Sequence, residues 1–243
     1  MVCLSALVSV LLLSLALLQM AAAAGSIVLD PTTQAPGGEV TVTGSSFGAT
    51  NAVGIGFGQE VVVTGEDHTP TGTGTGPYTA TTDHYPIKPG SFSMHSDVEG
   101  TGSDWTDNGD GTLTSSSSYS AGGNINYVTG EFSRSSTADL STYVILFTAS
   151  YTYYQYNATP DAGVTTDGAG AFTAAINVPA VTDGTYAVTA VDTVGNMATS
   201  NLVVSADAVP DVWSMSGMLL VSTVAVVLGA SYVRRRKNGK LMS

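Results

Sequence analysis

Apolar and polar positions alternate with a period of two along most of the chain between residues 25 and 206. Val40 and Val42 alternate with Thr41 and Thr43. Phe172, Ala174, Ile176 and Val178 take one side against Thr173, Ala175 and Asn177, and Tyr143, Ile145, Phe147, Ala149, Tyr151 and Tyr153 share another. Successive side chains of a strand point to opposite faces, so each run predicts a half-buried strand. Between the runs lie turn-forming clusters: Pro36-Gly37-Gly38, Asp107-Asn108-Gly109-Asp110-Gly111, Gly122-Gly123-Asn124, Thr166-Asp167-Gly168, Asp183-Gly184 and Val194-Gly195-Asn196. No stretch between the termini keeps a helical period over three turns. The prediction is an all-β body of short strands, in the manner of a sandwich.

The two ends follow a different pattern. Val212 to Val233 is an uncharged run followed by Arg234-Arg235-Arg236-Lys237. A helix of that length crosses a hydrocarbon core of about 30 Å, and the basic cluster marks its cytoplasmic end. Trp213 then falls at the outer interface and Tyr232 at the inner one. At the other end, Met1 to Gln19 is apolar and leads into Ala21-Ala22-Ala23-Ala24-Gly25, which reads as a signal peptide (1–24) cleaved after Ala24. No Lys or Arg precedes that run, so an uncleaved N-terminal anchor is the alternative. Either way residues 25–211 lie outside, on a single-pass protein of the cell membrane, with a cytoplasmic basic tail at 234–243.

Charge sharpens this topology. Five of the seven Lys and Arg residues lie at or after Arg234, which leaves Lys88 and Arg134 in the exported part. All nineteen Asp and Glu lie between Asp30 and Asp211. Two cations against nineteen carboxylates give that part a net charge of −17, which repels nucleic acid and anionic lipid head groups. The single cysteine, Cys3, falls in the apolar N-terminal run. The exported body therefore holds no disulfide and no cysteine nucleophile, and stands on its hydrophobic core alone.

Two segments resemble known families. Ile27-Val28-Leu29-Asp30-Pro31 followed by Ala35-Pro36-Gly37-Gly38-Glu39-Val40-Thr41-Val42-Thr43-Gly44-Ser45-Ser46-Phe47-Gly48 resembles the opening strands of IPT/TIG-type immunoglobulin-like domains of microbial surface proteins. Thr166 to Phe172, Val178-Pro179 and Asp183 to Ala190 resemble the closing strands of bacterial and archaeal Ig-like repeats. The resemblance implies an Ig-like β-sandwich in two halves, 25–66 and 163–206, split by an inserted β-rich module at 67–162. The insert, with its aromatic strand to Tyr156, resembles a small β module of phage structural and microbial surface proteins, and the Thr-Gly run from Thr69 to Gly76 reads as a flexible junction into it. The C-terminal pattern, with Val209-Pro210-Asp211 before the span at 212–233, resembles exosortase- or archaeosortase-type sorting tails. It lacks their Pro-Glu-Pro and Pro-Gly-Phe signatures, so a permanent anchor and a processed tail both stay open.

Candidate chemistry is sparse. Asp104, Asp107, Asn108 and Asp110 gather oxygen ligands of the kind Ca²⁺ takes; the alternative is a hairpin turn whose Asp side chains cap the backbone. No other cofactor is expected. Asn157-Ala158-Thr159 is a glycosylation sequon. His68, His84 and His95 show no metal-ligand spacing, and Met94-His95 is a weak copper pair. Lys88 sits between prolines, which favours an exposed loop over an isopeptide bond. Tyr153, Tyr154 and Tyr156 are candidate contact residues, with core packing as the alternative. Together these features suggest a non-catalytic envelope protein acting in adhesion or surface-layer assembly, with other envelope proteins or glycans as partners and no nucleic acid. A glycan- or solute-binding receptor subunit, a membrane-tethered hydrolase and a virus-encoded surface protein are the alternatives.

Overall fold

The computed structural model describes residues 25–98 and 101–208. Signal cleavage at Ala24, the span at 212–233 and the anchoring residues Trp213, Tyr232, Arg234, Arg235, Arg236 and Lys237 lie outside the described residues. Within them the protein is all-β, with fourteen strands and no helix; accordingly, none of the described residues forms a helix long and apolar enough to cross a membrane.

β1 (Ser26–Asp30), β3 (Glu39–Ser45) and β12 (Phe172–Asn177) form a three-stranded antiparallel sheet with β3 in the middle. The remaining strands form one sheet of eleven. Its first part runs β2 (Thr33–Gln34), β14 (Met197–Val204), β13 (Gly184–Asp192), β4 (Val53–His68) and β11 (Ile145–Asn157). It continues through β6 (Ser93–Val98), β7 (Thr101–Asp107), β8 (Thr112–Ser115), β9 (Ser120–Ile125), β10 (Glu131–Ser136) and β5 (Tyr78–Thr81). All pairs within it are antiparallel except β2 with β14.

Over β3, β12 and most of β11 the alternation read from the sequence is the alternation of burial; Tyr143, read as part of the aromatic strand, instead lies before β11 and is exposed. Val40 and Val42 of β3 and Phe172, Ala174 and Ile176 of β12 face inward, while their neighbours face out. They meet Val53, Ile55 and Phe57 of β4, Val188 and Ala190 of β13 and Leu202 and Val204 of β14 in one cluster between the two sheets. A second cluster, rich in aromatics, gathers Phe92, Trp105, Tyr127, Phe132, Phe147 and Tyr151. Phe132 is its centre, with ring centroids 5.0 Å from Phe92 and 5.7 Å from Phe147, separations at which tilted ring pairs attract.

β4 and β11 form the ribbon that runs from one cluster to the other, paired from Phe147↔His68 to Asn157↔Gly56. The first six residues of β4, Val-Gly-Ile-Gly-Phe-Gly, are buried on both faces. Val53, Ile55 and Phe57 enter the first cluster. On the reverse face a Cβ on Gly56 would lie 2.4 Å from Cγ of Tyr154, so the bare glycine is what admits that ring. Two register shifts interrupt the pairing, between Ala149 and Tyr151 and between Tyr154 and Tyr156. Opposite each, β4 carries an extra residue and a glycine with positive φ, Gly65 at 72° and Gly58 at 96°, the conformation that lets a bulge form without strain.

Alternation from Tyr151 directs Tyr153 to the face of the second cluster, where it is half-buried, and Tyr154 to the reverse face, where it is buried against Gly56; Tyr156 packs on the first cluster at 6.2 Å from Phe57. The Thr-Gly run after β4 is also tied down: Thr71 and Thr79 exchange backbone hydrogen bonds at 2.9 and 2.8 Å, and the Tyr78 hydroxyl donates to the Gly74 carbonyl at 2.8 Å.

Candidate functional site

The Asp-rich segment closes the β7–β8 hairpin, and each of its side chains has its own task. Asp107 is buried. Its Oδ2 accepts from the backbone N–H of Gly90 at 2.6 Å, and its Oδ1 from the N–H of Gly109 at 2.8 Å and from the Tyr127 hydroxyl at 2.6 Å. Burial, helped by the bond to the Asp107 carboxylate, pushes the Tyr127 hydroxyl well above its ordinary value. Asp110 accepts from the N–H and the hydroxyl of Thr112, which lowers its carboxyl. Asn108 bonds Thr112 and Thr114. Asp104 points elsewhere, to the exposed Nδ1 of His95 at 2.7 Å. Thus Asp107 faces the core and Asp104 faces solvent on the β6–β7 ladder, and the described residues contain no group of three or more His, Cys, Asp or Glu arranged to hold a metal ion.

The same use of aspartate recurs in other turns. Asp192, fully buried at the end of β13, accepts from the N–H groups of Gly48, Val194 and Asn196, and Asp167 accepts from those of Ala169 and Ala171. An aspartate two residues before an N–H makes a local ring that fixes the turn.

The histidines are dispersed. His68 Nε2 lies 2.7 Å from Glu66 Oε1, at ion-pair distance but without hydrogen-bond alignment, and Glu66 also accepts from the Tyr151 hydroxyl at 2.5 Å and the Asp83 N–H at 3.0 Å. His84 stacks on Tyr153 at 4.4 Å. Met94 is buried while His95 is exposed on the opposite face, so these two do not share a site. Lys88 pairs with Glu60 at 2.8 Å on the surface. Asn157 is exposed at the end of β11, its side-chain oxygen accepting from the Thr159 N–H at 3.0 Å.

The cavity with the most distinctive chemistry lies beside the second cluster. It has a volume of about 250 Å³ and is lined by Ser103, Ser117, Tyr119, Arg134, Asp139 and Tyr143, among others. Arg134 is only 5% exposed. Alternation along β10 accounts for this, since Arg134 shares a face with Phe132 and Ser136, and both of those are buried. Its guanidinium stands 5.5 Å over the Trp105 ring and donates from Nη1 to the Ser96 hydroxyl at 2.7 Å. Its Nε is buried with no hydrogen-bond partner, and among the described residues no carboxylate forms an ion pair with it.

Magnitudes show how unusual this is. Burying a guanidinium costs several kcal/mol, against about 1.5–3 kcal/mol for the charge-assisted hydrogen bond and about 0.5–2 kcal/mol for the cation–π contact. Burial accordingly lowers the Arg134 value, with the Tyr78 hydroxyl acting the other way. At the same cavity, Asp139 accepts from the N–H and hydroxyl of Ser141, which depresses its carboxyl. Tyr119 and Tyr143 leave 67% and 47% of their surface open to solvent. In the sequence Arg134 stands out only as one of two cations in the body. The signal that locates it was its spacing of two from Phe132.

The fold and this cavity define an all-β protein in which, among the described residues, no carboxylate pairs with the buried Arg134. Comparison adds little to that. No family model matches the chain, and no curated protein does. A solved structure described as AvmM, which catalyzes macrocyclization in alchivemycin A biosynthesis, is similar over 74% of this chain and 89% of its own. The identity is 11% and the TM-score 0.20, too low to carry an argument.

Proposed function

We propose that the chain is a cell-envelope protein whose β body, an Ig-like sandwich with an inserted module, is displayed outside the membrane on a C-terminal span. It acts by binding, in adhesion or surface-layer assembly. The observation that supports this reading is the single eleven-stranded sheet. The β4–β11 ribbon passes through both hydrophobic clusters, so a disulfide-free body is tied together through backbone hydrogen bonds and two packed cores, a construction suited to bearing contacts outside the cell. The acidic composition of residues 25–211, the IPT/TIG-like opening and closing segments and the basic cluster at 234–237 point the same way.

Lysine placement offers a direct test. The chain has three lysines, Lys88, Lys237 and Lys240. A membrane-impermeant amine-reactive reagent applied to intact cells labels Lys88 and spares Lys237 and Lys240 until the membrane is opened. Labelling of Lys237 in intact cells, or of Lys88 only after lysis, refutes the display.

A second reading, a glycan- or solute-binding receptor subunit, is favoured by the Arg134 cavity. Pockets for small molecules combine aromatic lining with a few placed polar groups, and Tyr119, Tyr143, Ser117 and Arg134 supply that combination.

A further inference from the structure

The geometry points to the Arg134 cavity as a binding site for an acidic monosaccharide unit of the uronic acid class, its carboxylate directed to the guanidinium and its hydroxyls to the cavity mouth. This deepens the solute-binding reading and rests on it.

Three observations carry the assignment. The first is the guanidinium. Of its planar set of donors, Nη1 bonds the Ser96 hydroxyl, and Nε is buried and unpartnered. A guanidinium fork fits a carboxylate with two parallel hydrogen bonds. Such an anion would complete the buried charge that Trp105 and Ser96 leave incomplete.

The second is the sign of charge around it. The body is strongly acidic, and Asp139, kept ionised by Ser141, stands at the same cavity. Any anion at Arg134 meets repulsion from Asp139, and a compact inorganic anion without donors has nothing to offset it. A ligand with its acid at one end and hydroxyl donors at the other satisfies both residues, because the donors bond the Asp139 carboxylate. The third is the lining. Tyr119 and Tyr143 are exposed at the cavity, and the Ser103 and Ser117 hydroxyls lie beside them. Aromatic faces pack on the apolar face of a sugar ring while hydroxyls exchange hydrogen bonds with its rim. A volume of about 250 Å³ accommodates one ring, not an oligosaccharide.

The test uses the full chain in detergent with Trp213→Phe, so that Trp105 is the sole indole of the two in the chain. Its position against Arg134 makes its emission a reporter for the site. Glucuronate is expected to change the emission saturably, with half-saturation on the order of 1 mM, and glucose at least tenfold more weakly. Arg134→Gln should abolish the difference between the two sugars, and Arg134→Lys, which keeps the charge but not the fork, should restore only part of it. Tyr143→Ala, at an exposed position, should weaken glucuronate several-fold with the melting temperature unchanged, which keeps the test decisive should Arg134→Gln fail to fold.

Equal responses to glucuronate and glucose overturn the proposal. So does undiminished binding by both Tyr143→Ala and a folded Arg134→Gln, and so does the lack of any response at tens of millimolar from folded protein. Tighter binding of sulfate or of glycine than of glucuronate overturns the sugar class. Glu99, in the β6–β7 connection, lies outside the described residues; a gain of more than tenfold in Glu99→Gln would assign the guanidinium an internal carboxylate and overturn the proposal as well. Lysine labelling reads display and this titration reads the ligand, so each fails separately.

Discussion

Replacing Asp107 by alanine removes the one acceptor shared by three donors from separate segments. These are the Gly90 N–H before β6, the Gly109 N–H in the β7–β8 turn and the Tyr127 hydroxyl after β9, all within 2.6–2.8 Å. Asp107 and Tyr127 are buried, so the donors left behind do not regain water freely. A buried donor stripped of its partner costs about 1–3 kcal/mol, and the values are not additive. The expected loss for Asp107→Ala is about 3–5 kcal/mol, comparable to breaking a buried charged pair from one side. Asp107→Asn keeps the shape and one oxygen but sets an NH₂ against a donor, for an expected loss of about 2 kcal/mol. Tyr127→Phe removes only one donor and should cost about 1 kcal/mol.

Urea unfolding of the full chain carrying Trp213→Phe, followed by Trp105 fluorescence, measures these losses in the cluster to which Asp107 is attached. The double variant Asp107→Ala/Tyr127→Phe should lose less than the sum of the singles, since the phenol no longer needs an acceptor. Because the Asp107 oxygens already serve these donors, millimolar Ca²⁺ and EDTA should give the same midpoint. An Asp107→Ala loss under 1 kcal/mol would refute the role of central acceptor, and a midpoint that rises with Ca²⁺ would show that Asp104, Asp107, Asn108 and Asp110 act as ligands instead.

Further outcomes follow from the same structure. Asp110, Asp139 and Asp167 have carboxyls lowered by hydrogen bonds to Thr112, Ser141 and Ala171 respectively. Their stabilisation is present above the unfolded value of about 3.9 and is lost as the pH falls below it through the folded values. Acid titration of stability should therefore be flat from pH 5 to 8 and decline below about pH 4, with a shallower decline in Asp167→Asn. Tyr78, Tyr127, Tyr151 and Tyr154 have hydroxyls raised chiefly by burial. Unfolding should set in above pH 10, the unfolded tyrosine value, and absorbance at about 295 nm should show Tyr127, Tyr151 and Tyr154, three of the eleven tyrosines, ionising only as the protein unfolds. Gly56→Ala places a methyl 2.4 Å from Tyr154 Cγ and should cost about 2–3 kcal/mol as overpacking, with Tyr154→Ala in the same chain recovering part of it. Arg134→Met should leave the melting temperature equal or higher, because an apolar group replaces a buried charge that no carboxylate among the described residues pairs with; a large fall would mean that the guanidinium is a structural element.

The all-β class was legible in the chain because strands announce themselves locally. Val40-Thr41-Val42-Thr43 and Phe172 to Val178 need no partner to show which face is apolar, and Asp-Gly clusters mark turns by their own backbone preferences. What depended on distant residues was hidden. That Tyr154 is buried more deeply than Tyr153 follows from the bare Gly56 about a hundred positions earlier, which admits its ring on the reverse face. Two views of the Asp-rich segment were compatible with its composition; only the closure of β7 on β8 beneath Gly90 and Tyr127 turns Asp107 inward and sends Asp104 to His95. Arg134 is the sharpest case. Its place beside Phe132 in the alternation was readable, but a period of two says only that a face is inward. Whether a carboxylate waits there depends on which strands lie across the core, and β6 and β7 bring Ser96 and Trp105. The local pattern determined which residues extend and which turn, since that is chemistry between neighbours in the chain; the partners of a buried charge were decided by packing, because low dielectric surroundings and hydrogen-bond donors arrive from segments that only the tertiary fold brings together.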